Sequence, residues 1–169
     1  NPADAGQAGR WSNGAATDQL GEKWYNTTPA AAMLDYVAPQ TSFPLLGMTP
    51  SSIGTLTAAL DFNDDSLDAR NGAAGTDNFL GLWQGAINIS ADEVGPWSFG
   101  TRSDDGSMLW IDLDQDGVFS TAGALGSELI VSNNGDHGPT TVLGTATFPA
   151  AGSYNVAVSF YEKGGGAVI

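Results

Sequence analysis

From Phe79 onward, apolar positions recur in short runs separated by turn residues: "FLGLWQGAINI", "GPWSFGTR", "SMLWIDL", "SELIVS", "TTVLGTATF" and "SYNVAVSFYE". Runs of this length, rich in aromatic and β-branched residues and bounded by Gly, Asn, Asp and Ser, predict the strands of a β-sandwich or barrel. In the last run Tyr154, Val156, Val158 and Phe160 alternate with Asn155, Ala157, Ser159 and Tyr161, so one face is expected to be core. The first 75 residues lack this order. "GRWSNGAATDQLGEKWYNTT" reads as irregular, turn-rich chain anchored by Trp11, Trp24 and Tyr25, and "PAAAMLDYV" predicts one short helix capped by Thr28. The closing "GGGAVI" reads as the opening of a further strand, with the natural sequence expected to continue beyond Ile169.

Composition agrees with an all-β chain. Among 169 residues there are 23 Gly and 8 Pro, which favours many turns over long helices. The length, with no charge-segregated half and no linker, predicts a single domain over 1–169. Nineteen acidic residues against five basic ones leave a net charge of −14, a surface that repels nucleic acid and anionic lipid. No apolar run approaches the roughly 20 residues of a membrane span, and no signal peptide is visible. With no Cys, disulfides and thiolate chemistry are excluded. The acidic excess is mostly Asp, set among Gly and Asn in loops, the material of oxygen-ligand calcium sites, so Ca2+ is the first cofactor to consider. The sequons at Asn26 and Asn88 are expected by chance in a Ser/Thr-rich chain.

Candidate chemistry concentrates in "TRSDDGSMLWIDLDQDG". In a regular strand the adjacent Asp104 and Asp105 point to opposite faces and cannot serve one site. The pair is therefore either a plain turn, with Asp105-Gly106 supplying ordinary hairpin chemistry, or a place where the backbone bends to bring both carboxylates together. Further on, Asp112, Asp114 and Asp116 alternate ahead of Gly117, like the first half of an EF-hand loop, although the twelfth position is Gly123 instead of Glu. A solvated acidic hairpin is the plain alternative there. Asp61, Asn63 and Asp65 repeat the spacing more weakly. The one His, His137, has no Cys or second His with which to hold a transition metal, and a hydrogen-bonding role is expected of it. Trp97 and Trp110 are potential sugar-stacking platforms, but their strand positions predict core packing.

The order of these motifs resembles the PA14 domain, a β-sandwich or barrel module of bacterial toxins, glycosidases and adhesins. The resemblance is carried by "FLGLWQGAINI", "GPWSFGTRSDDGSMLWID", "SNNGDHG" and "FPAAGSYNVAVSFYEKGGGA"; it covers residues 79–169 well and the earlier part loosely, through "EKWYN". In the sugar-binding branch of that family the two aspartates are joined by a cis peptide and hold calcium together with a second loop that supplies an asparagine oxygen. The resemblance thus implies metal ligation by Asp104, Asp105 and, from "SNNGDHG", Asn134 or Asn133, with Asp136 as a third carboxylate or sugar contact. Sugar contacts fall to Asp104, Asp105, Asn133, Asn134, Gly135, Asp136 and His137. The implied protein is not an enzyme. It is a calcium-dependent lectin module of a bacterial surface adhesin, extracellular, a monomeric part of a larger chain, binding vicinal hydroxyls of cell-surface glycans. A structural or protein-interaction module without sugar binding, and an accessory module of a glycosidase, are the alternatives.

Overall fold

The computed structural model describes residues 11–12, 19–26, 49–57, 60–63, 67, 70 and 77–169. Among the described residues nine strands run in chain order: β1 (Trp11–Ser12), β2 (Leu20–Asn26), β3 (Ser52–Leu56), β4 (Phe79–Ile89), β5 (Gly95–Ser103), β6 (Ser107–Ile111), β7 (Leu129–Asn133), β8 (Thr140–Phe148) and β9 (Gly152–Glu162). A 3-10 turn, Ala91–Glu93, joins β4 to β5, closed by reciprocal bonds between Ser90 and Glu93. The main sheet has the order β3-β2-β4-β9-β6-β7, with β1 also pairing to β4, and β5-β8 form a separate ribbon. All pairings are antiparallel. This is the expected all-β architecture.

The long β4–β9 pair at the centre carries apolar residues on both faces. Towards the ribbon lie Trp83, Ile87, Tyr154, Val156 and Phe160, covered by Phe148 and the partly buried Trp97 and Phe99. The opposite face buries Leu80, Leu82, Met108, Trp110, Ala157 and Tyr161. The expectation of one core face in β9 therefore needs correction: Ala157, Ser159 and Tyr161 are as buried as the residues they alternate with. A strand at the middle of a sheet covered on both sides has no solvent face, so period-2 polarity fades along it.

The described part of the early chain is also more ordered than its turn-rich composition suggests. "LGEKWYN" is a strand pairing with both β3 and β4. Glu22, buried within it, accepts hydrogen bonds from Arg70 and from Trp83 Nε1 at 2.9 Å. Trp24 and Tyr25 are buried as anchors. The expected helix at 29–37, its Thr28 cap, Asp65 and the Trp11 side chain lie outside the described residues. Trp110 is fully buried, and Trp97 stacks on Phe99 while its Nε1 donates to the Glu93 carbonyl at 2.8 Å, both as core packing requires.

Candidate metal and ligand site

Between β5 and β6 the Asp104–Asp105 peptide is cis, as the resemblance implies. Carboxylate oxygens of Asp104, Asp105 and Glu162 all lie within 4.8 Å of one another. The plain-turn reading of the pair is thereby set aside, because the two side chains serve one cluster. Three elements hold it. Asp104 is fixed by reciprocal backbone hydrogen bonds with Val168 at 3.0 Å. Asp105 is buried; its Oδ1 accepts from His137 N and its Oδ2 from Lys163 N, both at 2.9 Å. Glu162 closes β9 from beneath, accepting the Asp105 backbone N–H through Oε2 at 3.1 Å.

Glu162 is fully buried, and its Oε1 receives no hydrogen bond among the described residues. Burial, followed by the charge of Asp105, pushes its carboxyl up to about 8. A buried carboxylate oxygen facing two further carboxylates is the environment a hard, oxygen-seeking cation relieves.

The second loop, 133–138, folds over this cluster. Gly135 takes φ +136, a backbone region only glycine enters readily. Gly106 is required for a different reason: a Cβ there would lie 2.3 Å from Tyr161 Cε1 and 3.1 Å from Gly135 N. Glycine in "SDDG" thus lets the loop approach the aspartates. Asn133 is buried at the end of β7, with Nδ2 donating to Ser103 Oγ and to the Thr140 carbonyl, both at 2.9 Å. Ser103 and Ser107 hydroxyls lie 2.7 Å apart and Ser107 donates to Thr101, a buried polar chain under the site. Asn134 Oδ1 is shielded from solvent.

Asp136 stands apart from the three converging carboxylates. Its Oδ1 accepts from the Tyr161 hydroxyl at 2.8 Å and its Oδ2 from the Lys163 ammonium. The Lys163 bond, then the Tyr161 bond, hold the Asp136 carboxyl below its ordinary value, while burial, then Asp136, raises the Tyr161 hydroxyl. His137 fills the hydrogen-bonding role expected of it: beyond its backbone bond to Asp105, Nδ1 lies 3.0 Å from the Gly138 carbonyl and Nε2 3.2 Å from that of Asn133. Asp112, Asp114 and Asp116 form a second group of carboxylates within 4.8 Å, at the other end of β6. Of the weaker repeat, Asn63 forms a backbone bridge with Val168.

Sequence reasoning did not single out Glu162 or the Ser103–Ser107 chain. The signal for Glu162 lay in β9, where the core-facing alternation Val156, Val158, Phe160 continues into a carboxylate.

No protein-family model matches the chain, and no curated protein matches it in sequence. Solved structures share its fold. The PA14 domain of the MpAFP antifreeze protein superposes with a TM-score of 0.55 at 15% identity, over 88% of this chain and 77% of that one. A PA14 sugar-binding domain from an RTX adhesin superposes with a TM-score of 0.53 at 14% identity, over 89% of this chain and 85% of that one. An anti-sigma factor domain-containing protein gives 0.55 at 18% identity over 88% of this chain, which spans 40% of that protein's length. The architecture is therefore that of PA14 domains.

Proposed function

We propose that the chain is a calcium-dependent carbohydrate-binding module that displays its site on a bacterial surface adhesin, outside the cell. The observation that carries this reading is the convergence of oxygens of Asp104, Asp105 and Glu162 within 4.8 Å of one another, with Glu162 fully buried and its Oε1 undonated. Calcium takes about 6 to 8 oxygens, so the 133–138 loop contributes further ligands, with the amide oxygen of Asn134, shielded from solvent, the first candidate. An ion held there would supply positions for two neighbouring sugar hydroxyls. Asp104 and Asp105 orient those hydroxyls by accepting their protons in hydrogen bonds, and Glu162 and Asp105 hold the cluster through the Asp105 N–H.

Hydrolysis is not proposed. Adjacent carboxylates drawn into one cluster suit a single cation better than a glycosidase pair, whose carboxyl groups stand about 5 Å or more apart across the scissile bond. The fold shared with a sugar-binding adhesin domain supports the reading at the level of architecture. Glycan-array binding in calcium and in excess EGTA tests it directly. Signal for glycans with a free vicinal diol is expected only with calcium, and Asp104→Asn or Asp105→Asn is expected to lose it at least tenfold while the circular dichroism spectrum is kept. Binding that survives EGTA overturns the mechanism.

A further inference from the structure

The connection between β6 and β7 holds a second group of carboxylates that the sugar site does not use. Asp112 follows β6 directly and is 1% exposed. Its backbone N–H is tied to the Asn155 carbonyl at 3.0 Å, and its Oδ2 accepts from Gly117 N at 3.1 Å and Asn155 Nδ2 at 2.9 Å. Its Oδ1, equally withdrawn from water, receives no donor among the described residues. One oxygen each of Asp112, Asp114 and Asp116 falls within 4.8 Å of the other two.

Beside them Glu128 is buried, with Oε1 accepting from Leu113 N at 2.7 Å and Asp114 N at 3.3 Å, and Oε2 from Ser120 N at 2.9 Å. These bonds brace the loop backbone. Gly123, where an EF-hand has its bidentate Glu, lets the returning chain come close: a Cβ there would meet Asp114 Oδ2 at 3.2 Å and the Glu128 carboxyl carbon at 3.3 Å. Among the described residues none of these four carboxylates has a Lys, Arg or His ion-pair partner.

We propose that this hairpin is a calcium site of its own, held by the carboxylates of Asp112, Asp114 and Asp116. The physical case is that Asp112, one of three clustered carboxylates with no basic residue to offset them, is buried and carries an undonated oxygen. Leaving an anionic oxygen both dry and undonated is costly, and a cation is the partner that satisfies it. Calcium suits the set better than magnesium, because it accepts irregular oxygen shells at 2.3–2.6 Å, whereas magnesium demands a near-octahedral one. The alternation at loop positions one, three and five, with Gly117 at φ +83 in the sixth, matches the entry half of an EF-hand loop. The site lies at the opposite end of β6 from Asp104 and Asp105, so it does not depend on the sugar-binding reading.

Calcium chloride titrated calorimetrically into the chelator-treated chain tests the proposal. Asp114→Asn with Asp116→Asn keeps shape and most loop hydrogen bonds, and is expected to remove one equivalent of bound calcium. Asp104→Asn with Asp105→Asn is expected to retain that equivalent, and all four substitutions together to bind none. Circular dichroism and elution volume establish that each variant is folded; Asp116→Asn alone, at an exposed position, serves if the pair is not, with at least a tenfold loss of affinity expected for one equivalent. If the equivalents bound and their affinities are unchanged by Asp114→Asn with Asp116→Asn, the site does not exist. If the wild-type chain binds one ion that only the Asp114 and Asp116 substitutions remove, this proposal stands and the Asp104–Asp105 mechanism fails.

Discussion

Glu162 is where one side chain sets the behaviour of the site. Its carboxyl is buried against Asp105 and pushed up to about 8, from an ordinary 4.5, by desolvation first and the Asp105 charge second. In the metal-free chain the folded state holds this proton up to about pH 8, whereas the unfolded state releases it near 4.5. Between those values the folded state binds more protons, so this group makes stability fall as pH rises through the window. Denaturant melts in EGTA from pH 5 to 9 are expected to show that fall, and Glu162→Gln, which cannot ionise, to flatten it and to exceed the wild-type chain in stability at pH 8. Calcium requires the ionised form, so its affinity in the wild-type chain is expected to rise over the same window. A slope unchanged in Glu162→Gln assigns it to another group.

At the scale of elements, the site exists because two loops and the end of β9 meet, and the meeting point is a glycine. Gly106 has no positive φ to justify it, yet any Cβ would drive into the Tyr161 ring and the Gly135 backbone. Gly106→Ala is expected to destabilise by about 1–3 kcal/mol, the usual cost of overpacking, and to weaken sugar binding by pushing the loop off Asp105. Gly138→Ala, in the same loop but with open space around its Cα, is the control and is expected to leave both unchanged. Equal effects from the two substitutions would mean that close approach is not the reason for Gly106. The strands from Phe79 to Glu162 were legible in sequence because their signals are local: short apolar runs between turn clusters. β2 was not, since what fixes "LGEKWYN" in the sheet is its pairing with β3 and β4 and the Arg70 and Trp83 partners of Glu22, all distant in sequence. For the site, alternation alone would have sent Asp104 and Asp105 to opposite faces; the motif order pointed to their convergence. Nothing local separates Asn133 from Asn134, because Asn133 is committed by Ser103 and Thr140 on neighbouring strands.

For the whole molecule the governing quantity is charge. A formal −14 on 169 residues works against compactness through self-repulsion, and part of it is gathered at the two ends of β6. Screening by salt acts within a Debye length of about 8 Å at physiological ionic strength and reaches buried carboxylates poorly. A cation seated among those carboxylates acts on the folded state alone, because unfolding disperses its ligands. The stabilisation is then RT ln(1 + [L]/Kd), about 2.7 kcal/mol for each site at a calcium concentration 100 times Kd. Calcium is therefore expected to raise the melting temperature well beyond sodium chloride of equal ionic strength, and EGTA to reverse the gain. The increments separate by site: Asp104→Asn with Asp105→Asn should keep the part due to the β6–β7 hairpin, and Asp114→Asn with Asp116→Asn the part due to the Asp104–Asp105 cluster. The sites are at opposite ends of one strand and share no ligand, so their contributions to the calcium-dependent gain should add to within about 0.5 kcal/mol. Calorimetric melts of the wild-type chain, the two double variants and the variant with all four substitutions, each with calcium and with EGTA, decide it. If sodium chloride alone reproduces the rise, general screening accounts for the stabilisation and neither cluster holds an ion that matters to the fold.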